Sequence, residues 1–116
     1  MYKLEMRNGY FLQQLSGPVT VEEVSKFIDE AVKVVRKPGN KLRVLNDYRG
    51  SFLSDPKVQE IMKKWVDGNA PYIEKAAVLG IQGIKKMFFN FITLGRKNIK
   101  LFDDEESAVK WLLEND

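Results

Sequence analysis

Residues 75–102, KAAVLGIQGIKKMFFNFITLGRKNIKLF, read as a buried strand, a glycine-punctuated turn, an apolar helix with a basic rim and a second strand. The spacing predicts a strand over Lys75–Ile81, a helix over Gly83–Leu94 and a last strand over Asn98–Phe102. A helix between two strands is the unit from which parallel sheets are wound, so the stretch sets the class of fold.

Working outward toward the N-terminus, Tyr2–Met6 and Tyr10–Ser16 alternate as strands do and flank Asn8-Gly9, a strong hairpin signal. Thr20-Val21-Glu22-Glu23 has the form of a capping box, with Val19 placed to staple onto Val24. The helix it starts carries Val21, Val24, Ile28, Ala31, Val32 and Val35 on one face. Leu42–Leu45 predicts a buried central strand leading into the polar loop Asn46–Gly50. Asp55 or Ser54 caps the next helix, with Pro56 in its first turn and Val58, Ile61, Met62, Trp65 and Val66 inward. After the last strand, Asp103 is the expected cap of a final helix whose inward residues are Ala108, Trp111 and Leu112. The expectation is one α/β domain over residues 1–116: a mixed, mainly parallel sheet of about five strands, an N-terminal hairpin followed by alternating α and β elements, and about four helices.

Composition narrows the chemistry. The 116 residues fit one core, and 44% apolar with 30% charged residues is ordinary for a globular domain. Cysteine and histidine are absent, which removes thiolate chemistry, disulfides, the commonest general base and the commonest metal ligand. The chain is therefore expected not to be an enzyme, and no metal or cofactor is expected. No apolar run approaches the roughly 20 residues that cross a bilayer, and MYKLEMRNGY lacks a signal peptide's apolar core, so the expected compartment is the cytoplasm.

Net charge is +3 but uneven. Between residues 75 and 102 stand Lys75, Lys85, Lys86, Arg96, Lys97 and Lys100 with no acid, whereas residues 103–116 hold six acids against Lys110. This reads either as a solvated face beside an acidic helix, or as a basic patch for a phosphate-bearing small molecule or an acidic membrane surface. Nucleic acid is not expected, because the basic segment has no aromatic stacking platform.

Three groups of residues could bind or react. Gly80-Ile81-Gln82-Gly83-Ile84-Lys85-Lys86 could bring backbone amides and two lysines to an anion at a helix start, or could simply permit a tight turn. On the predicted helix, Ile84, Met87, Phe88, Phe91, Ile92 and Leu94 form a core stripe. Phe89 falls outside it beside Lys85, suited to a lipid interface, a homodimer contact or a pocket mouth, or to plain exposure. Asp47-Tyr48-Arg49 lies beyond the carboxyl end of the central strand, where open parallel sheets bind ligands, and should share that edge with the Gly80 turn and Asp103. Asp47 could equally cap a turn or pair with Arg49.

Several of these segments also resemble one family. Leu45-Asn46-Asp47, the run Ala70–Gly80, Gly83-Ile84-Lys85-Lys86, Gly95-Arg96-Lys97-Asn98 and the run Phe102–Leu112 together are similar to a SpoIIAA-like domain of the STAS type, the class named for sulfate transporters and anti-sigma-factor antagonists. The resemblance covers most of the chain and is densest after Asn69. It implies a mixed sheet with helices and a binding or regulatory role without catalysis. Some similar domains resemble lipid-binding folds of the CRAL-TRIO type, which implies an apolar or lipid-like ligand or a membrane surface. The antagonists are switched by phosphorylation of a serine in an Asp-Ser-Ser-Gly-like motif. Here Ser54 is the approximate positional match and the Ser-Ser-Gly is missing. A protein-interaction module of that regulatory kind is the alternative reading.

Overall fold

Gly9 takes a φ of 92°, a conformation that L side chains rarely adopt, and so lets the chain reverse within two residues. The result is an antiparallel hairpin of β1 (Tyr2–Arg7) and β2 (Tyr10–Leu15), with Arg7 opposite Tyr10 and Tyr2 opposite Leu15. The computed structural model describes residues 1–52, 55–80 and 98–115. The expected helix over 83–94 and the Ser54 cap lie outside them.

β3 (Gly17–Pro18) and β5 (Ser51–Phe52) form a two-stranded parallel patch that ties the exit of β2 to the loop after β4 (Leu42–Asp47). Between them runs α1 (Val21–Val35), whose N-cap is Thr20 with its hydroxyl accepting from the Glu23 amide at 3.1 Å. The other half of the expected box is not made; the Glu23 carboxylate pairs with the Met1 amino group instead. α2 (Pro56–Asn69) starts as expected, Asp55 accepting from the Lys57 amide at 2.9 Å.

A 3-10 turn over Ala70–Tyr72 leads to β6 (Ile73–Leu79), followed by β7 (Ile99–Phe102) and α3 (Glu105–Leu113). β6 begins two residues before the predicted Lys75 because the turn releases the chain at Ile73, opposite Leu42. It ends at Leu79 rather than Ile81, since Gly80 leaves the strand at φ 85°. α3 is capped by Asp104, not Asp103: Asp104 accepts from the Ser107 amide at 2.8 Å and from the Ser107 hydroxyl at 2.9 Å.

The main sheet has the order β1-β2-β4-β6-β7, antiparallel between β1 and β2 and parallel at every other pairing. This is the mixed, mainly parallel α/β sheet the sequence predicts, with three α-helices among the described residues. The parallel strands step across the sheet in one direction, so crossovers of one hand place α1 and α2 on the same face. There Phe11, Leu15, Val44 and Val78 meet Val24, Phe27, Ala31, Val35, Val58, Met62 and Trp65. α3 covers the opposite face through Ala108 and Leu112, against Tyr10, Leu12, Leu45, Ala77 and Leu79.

Phe27 is the centre of the larger core. It is fully buried and meets Tyr2 and Trp65 edge-on at 5.9 and 6.4 Å. Val21, expected inside, is exposed as the first residue of α1. Arg36 joins the two helices: its Nε donates to Asn69 Oδ1 at 2.8 Å and its guanidinium lies 5.0 Å from the Trp65 ring centre. No helix among the described residues is long and apolar enough to cross a membrane.

Candidate functional site at the carboxyl edge of the sheet

β2 and β4 are parallel, and their register sets Gln14 beside Asp47 at the carboxyl edge. Asp47 is the last residue of β4 and is buried, an expensive place for a carboxylate unless donors surround it. They do. Oδ2 accepts from Gln14 Nε2 at 3.0 Å and Arg49 Nη2 at 2.8 Å, and Oδ1 accepts from the Arg49 amide at 3.1 Å and Arg49 Nε at 2.9 Å. Both sequence alternatives for Asp47 therefore hold at once. The residue caps its own turn two positions on, and it forms a two-pronged ion pair with Arg49.

Burial pushes the Asp47 carboxyl up, but the donors from Arg49 and Gln14 outweigh it and hold the group below its ordinary value of 3.8. Asp47 raises the Arg49 guanidinium in turn, with a smaller contribution from Glu105. Arg49 Nη2 also donates to Glu105 Oε1 at 3.1 Å, and Arg7 Nη1 stands 4.0 Å from Glu105 Oε2. A row of alternating charge thus joins the hairpin, the β4 loop and the first turn of α3. The Arg49 side chain is 47% exposed, whereas that of Asp47 is 3% exposed.

The loop is fixed from below. Ser51 donates to the Tyr48 carbonyl through its hydroxyl at 2.7 Å and its amide at 3.1 Å, and the Tyr48 amide reaches the Leu79 carbonyl at 3.0 Å. Tyr48 is buried, which pushes its phenol well above the ordinary tyrosine range. Gly80 lies directly against this loop, so it joins Asp47 and Arg49 at one edge. Gly83, Lys85, Lys86, Phe89 and Ser54 lie outside the described residues. Asp103 follows β7 on the same edge and is exposed, but the acid that meets Arg49 is Glu105.

Gln14, Glu105 and Arg7 were not among the residues the sequence singled out. The pairing of Gln14 with Asp47 needs strand register, and a helix-start glutamate reads only as dipole compensation. One basic residue changes role. Lys75, counted in the acid-free segment, is buried; its Nζ donates to the carbonyls of Trp111 at 3.1 Å and Glu114 at 2.9 Å, and lies 5.0 Å from the Trp111 ring centre. It holds the end of α3 together with Arg43, whose Nη1 donates to the Leu112 carbonyl at 2.7 Å. Lys75 is therefore no part of a basic surface.

As an acid–base group Asp47 is already committed, because four donors occupy its lone-pair positions. The part of the cluster open to a ligand is the outer side of Arg49. No group of three or more acidic residues among the described residues could hold a metal ion.

No protein-family model matches the chain, and no curated protein does. Among solved structures it is similar to an uncharacterized protein of the DUF3478 family with a SpoIIAA-like fold, from Shewanella loihica PV-4. The TM-score is 0.65 at 18% identity, over 97% of this chain and 92% of that one. The chain has a SpoIIAA-like fold.

Proposed function

We propose that this SpoIIAA-like domain is a non-catalytic binding module. It takes a small apolar or lipid-like molecule with an anionic head, or an acidic membrane surface, at the carboxyl edge of its sheet. The observation that carries the reading is the division of labour between Asp47 and Arg49. The carboxylate is buried and saturated, while the guanidinium it orients is nearly half exposed. A pre-oriented guanidinium suits recognition of a carboxylate or phosphate. Gly80 shapes the same edge, while Gly83, Lys85, Lys86 and Phe89, the other residues expected to bind, lie outside the described residues.

Flotation with anionic and neutral liposomes, together with native mass spectrometry of freshly purified protein, tests this. Expected are binding to anionic vesicles or a copurified small molecule, with either one lost in Arg49→Ala. Absence of both in the wild type overturns the reading.

A second reading is a regulatory protein-interaction module, as the resemblance to anti-sigma-factor antagonists implies. Its support is the row Arg7, Glu105, Arg49, whose alternating charge suits a complementary protein surface. It requires a stable protein partner in a pull-down, and its phospho-switch form requires Ser54→Asp to change that binding.

A further inference from the structure

β1 is an edge strand, and among the described residues no strand lies beyond it. Its hydrogen-bonding phase can be read from its first residue. The Ser16 amide donates to the Met1 carbonyl at 2.8 Å and the Met1 amino group to the Ser16 carbonyl at 2.9 Å, so Met1 and Ser16 are a mutually bonded pair. In an antiparallel ladder bonded pairs alternate with unbonded ones, so Lys3, Glu5 and Arg7 spend their backbone groups on β2. Tyr2, Leu4 and Met6 therefore direct their N–H and C=O groups at the open edge.

We propose that this edge pairs with a second copy of the chain, the two β1 strands running antiparallel about a two-fold axis through Leu4, so that Lys3 of each copy faces Glu5 of the other. Three two-fold centres, on Lys3, Leu4 and Glu5, let two or more of the edge residues Tyr2, Leu4 and Met6 exchange backbone bonds across the axis. A centre on Lys3 sets Lys3 against itself. A centre on Glu5 sets Glu5 against itself and Lys3 against Arg7. Both put like charges directly opposite, which destabilises strand pairs. The centre on Leu4 instead makes two Lys–Glu pairs and lets Leu4·Leu4, Tyr2·Met6 and Met6·Tyr2 each exchange two backbone bonds.

The side chains fit the same centre. Met6 is 57% exposed, a large apolar residue on a surface strand, and shares its side of the pleat with Tyr2 and Leu4, which pack on the larger core. Pairing brings it beside the partner's Tyr2, at the rim of a cleft of about 430 Å³ lined by Met1, Tyr2, Thr20, Glu22, Glu23 and Lys26. Arg7 would face Met1, whose amino group is already paired with Glu23, while its own guanidinium leans toward Glu105. Charges on an edge strand ordinarily discourage pairing. Here the alternation of sign rejects two registers and accepts the third. The dimer is weak, because so short an edge buries less than the roughly 1,200–2,000 Å² of a standard interface.

Sedimentation equilibrium of the full chain from roughly 10 μM to 1 mM tests the assembly, a range that brackets weak association. Expected is a monomer–dimer equilibrium that Lys3→Glu or Glu5→Lys alone weakens at least tenfold. An equimolar mixture of the two variants, and the double variant K3E/E5K, should dimerise again, since each restores opposite charges across the axis. Circular dichroism of each variant reports its fold, and both side chains are exposed enough to be exchanged without cost to the core. A wild type that stays monomeric throughout overturns the proposal. So do single variants that dimerise like the wild type, or a mixture that remains monomeric.

Discussion

Gly80 meets Arg49 backbone to backbone: a Cβ built on Gly80 would fall 2.5 Å from the Arg49 amide nitrogen and 2.7 Å from its Cα. The strand ends of β4 and β6 can approach this closely because one side lacks a side chain, and the approach holds the loop that carries Arg49. Gly80→Ala should therefore be penalised twice, by its φ of 85° and by collision with a backbone that cannot yield. Gly39 has a similar φ of 82° with open space where a Cβ would go. Urea denaturation should show Gly39→Ala costing about 1–2 kcal/mol and Gly80→Ala clearly more. Equal costs would mean that the close approach relaxes freely.

The Asp47–Arg49 pair predicts an acid-side loss of stability. Asp47 titrates below its ordinary 3.8 in the folded chain, so its stabilisation is complete above that value and disappears as pH falls through the depressed one. Asp47→Asn should cost about 1–3 kcal/mol at pH 7, the usual penalty for disrupting bonds to a buried charged group. It should also flatten the fall in urea midpoint between neutral and strongly acidic pH. Glu5 and Asp104 are likewise held below their ordinary values, so some slope remains in the variant. A variant with the slope of the wild type would show that Asp47 does not carry the linkage.

Much of this architecture is legible in the sequence where the signal is local. Asn8-Gly9, the Thr20 cap and Asp55-Pro56 each fix an element boundary through bonds within a few residues. The failures share a cause. Asp103 and Asp104 are both competent caps, and local chemistry cannot rank them. Lysine is normally a surface residue, and nothing near Lys75 in the chain announces that its acceptors, the Trp111 and Glu114 carbonyls, come from the far end of the sequence. The candidate site is half legible for the same reason. Asp47 and Arg49 are neighbours in sequence, whereas Gln14 and Glu105 join them only through strand register and helix packing.

Phe27 decides how the larger core is built. It is fully buried between Tyr2 on the sheet and Trp65 on α2, so its removal empties the place where three elements meet. Phe27→Ala should cost about 3–5 kcal/mol in equilibrium unfolding. Phe27→Leu, which keeps most of the volume, should cost less. The loss should also appear as a shift in Trp65 emission, and its absence would place the ring outside the cooperative core.

Lys75 offers the sharpest separation of charge from packing. Its stem lies within the sheet and its ammonium bonds the last carbonyls of α3, where the helix dipole favours a cation. Lys75→Met keeps the length of the stem and removes the donors. The variant should lose about 1.5–3 kcal/mol, the usual worth of hydrogen bonds to a charged group. Its α3 amides should exchange hydrogen faster than those of α1, because the helix end would keep the Arg43 bond to the Leu112 carbonyl but lose both lysine bonds and would fray first. Wild-type stability with wild-type exchange in α3 would mean that desolvating the ammonium cancels its bonds, and that packing of Ala108 and Leu112 with the Arg43 bond holds α3 without the lysine.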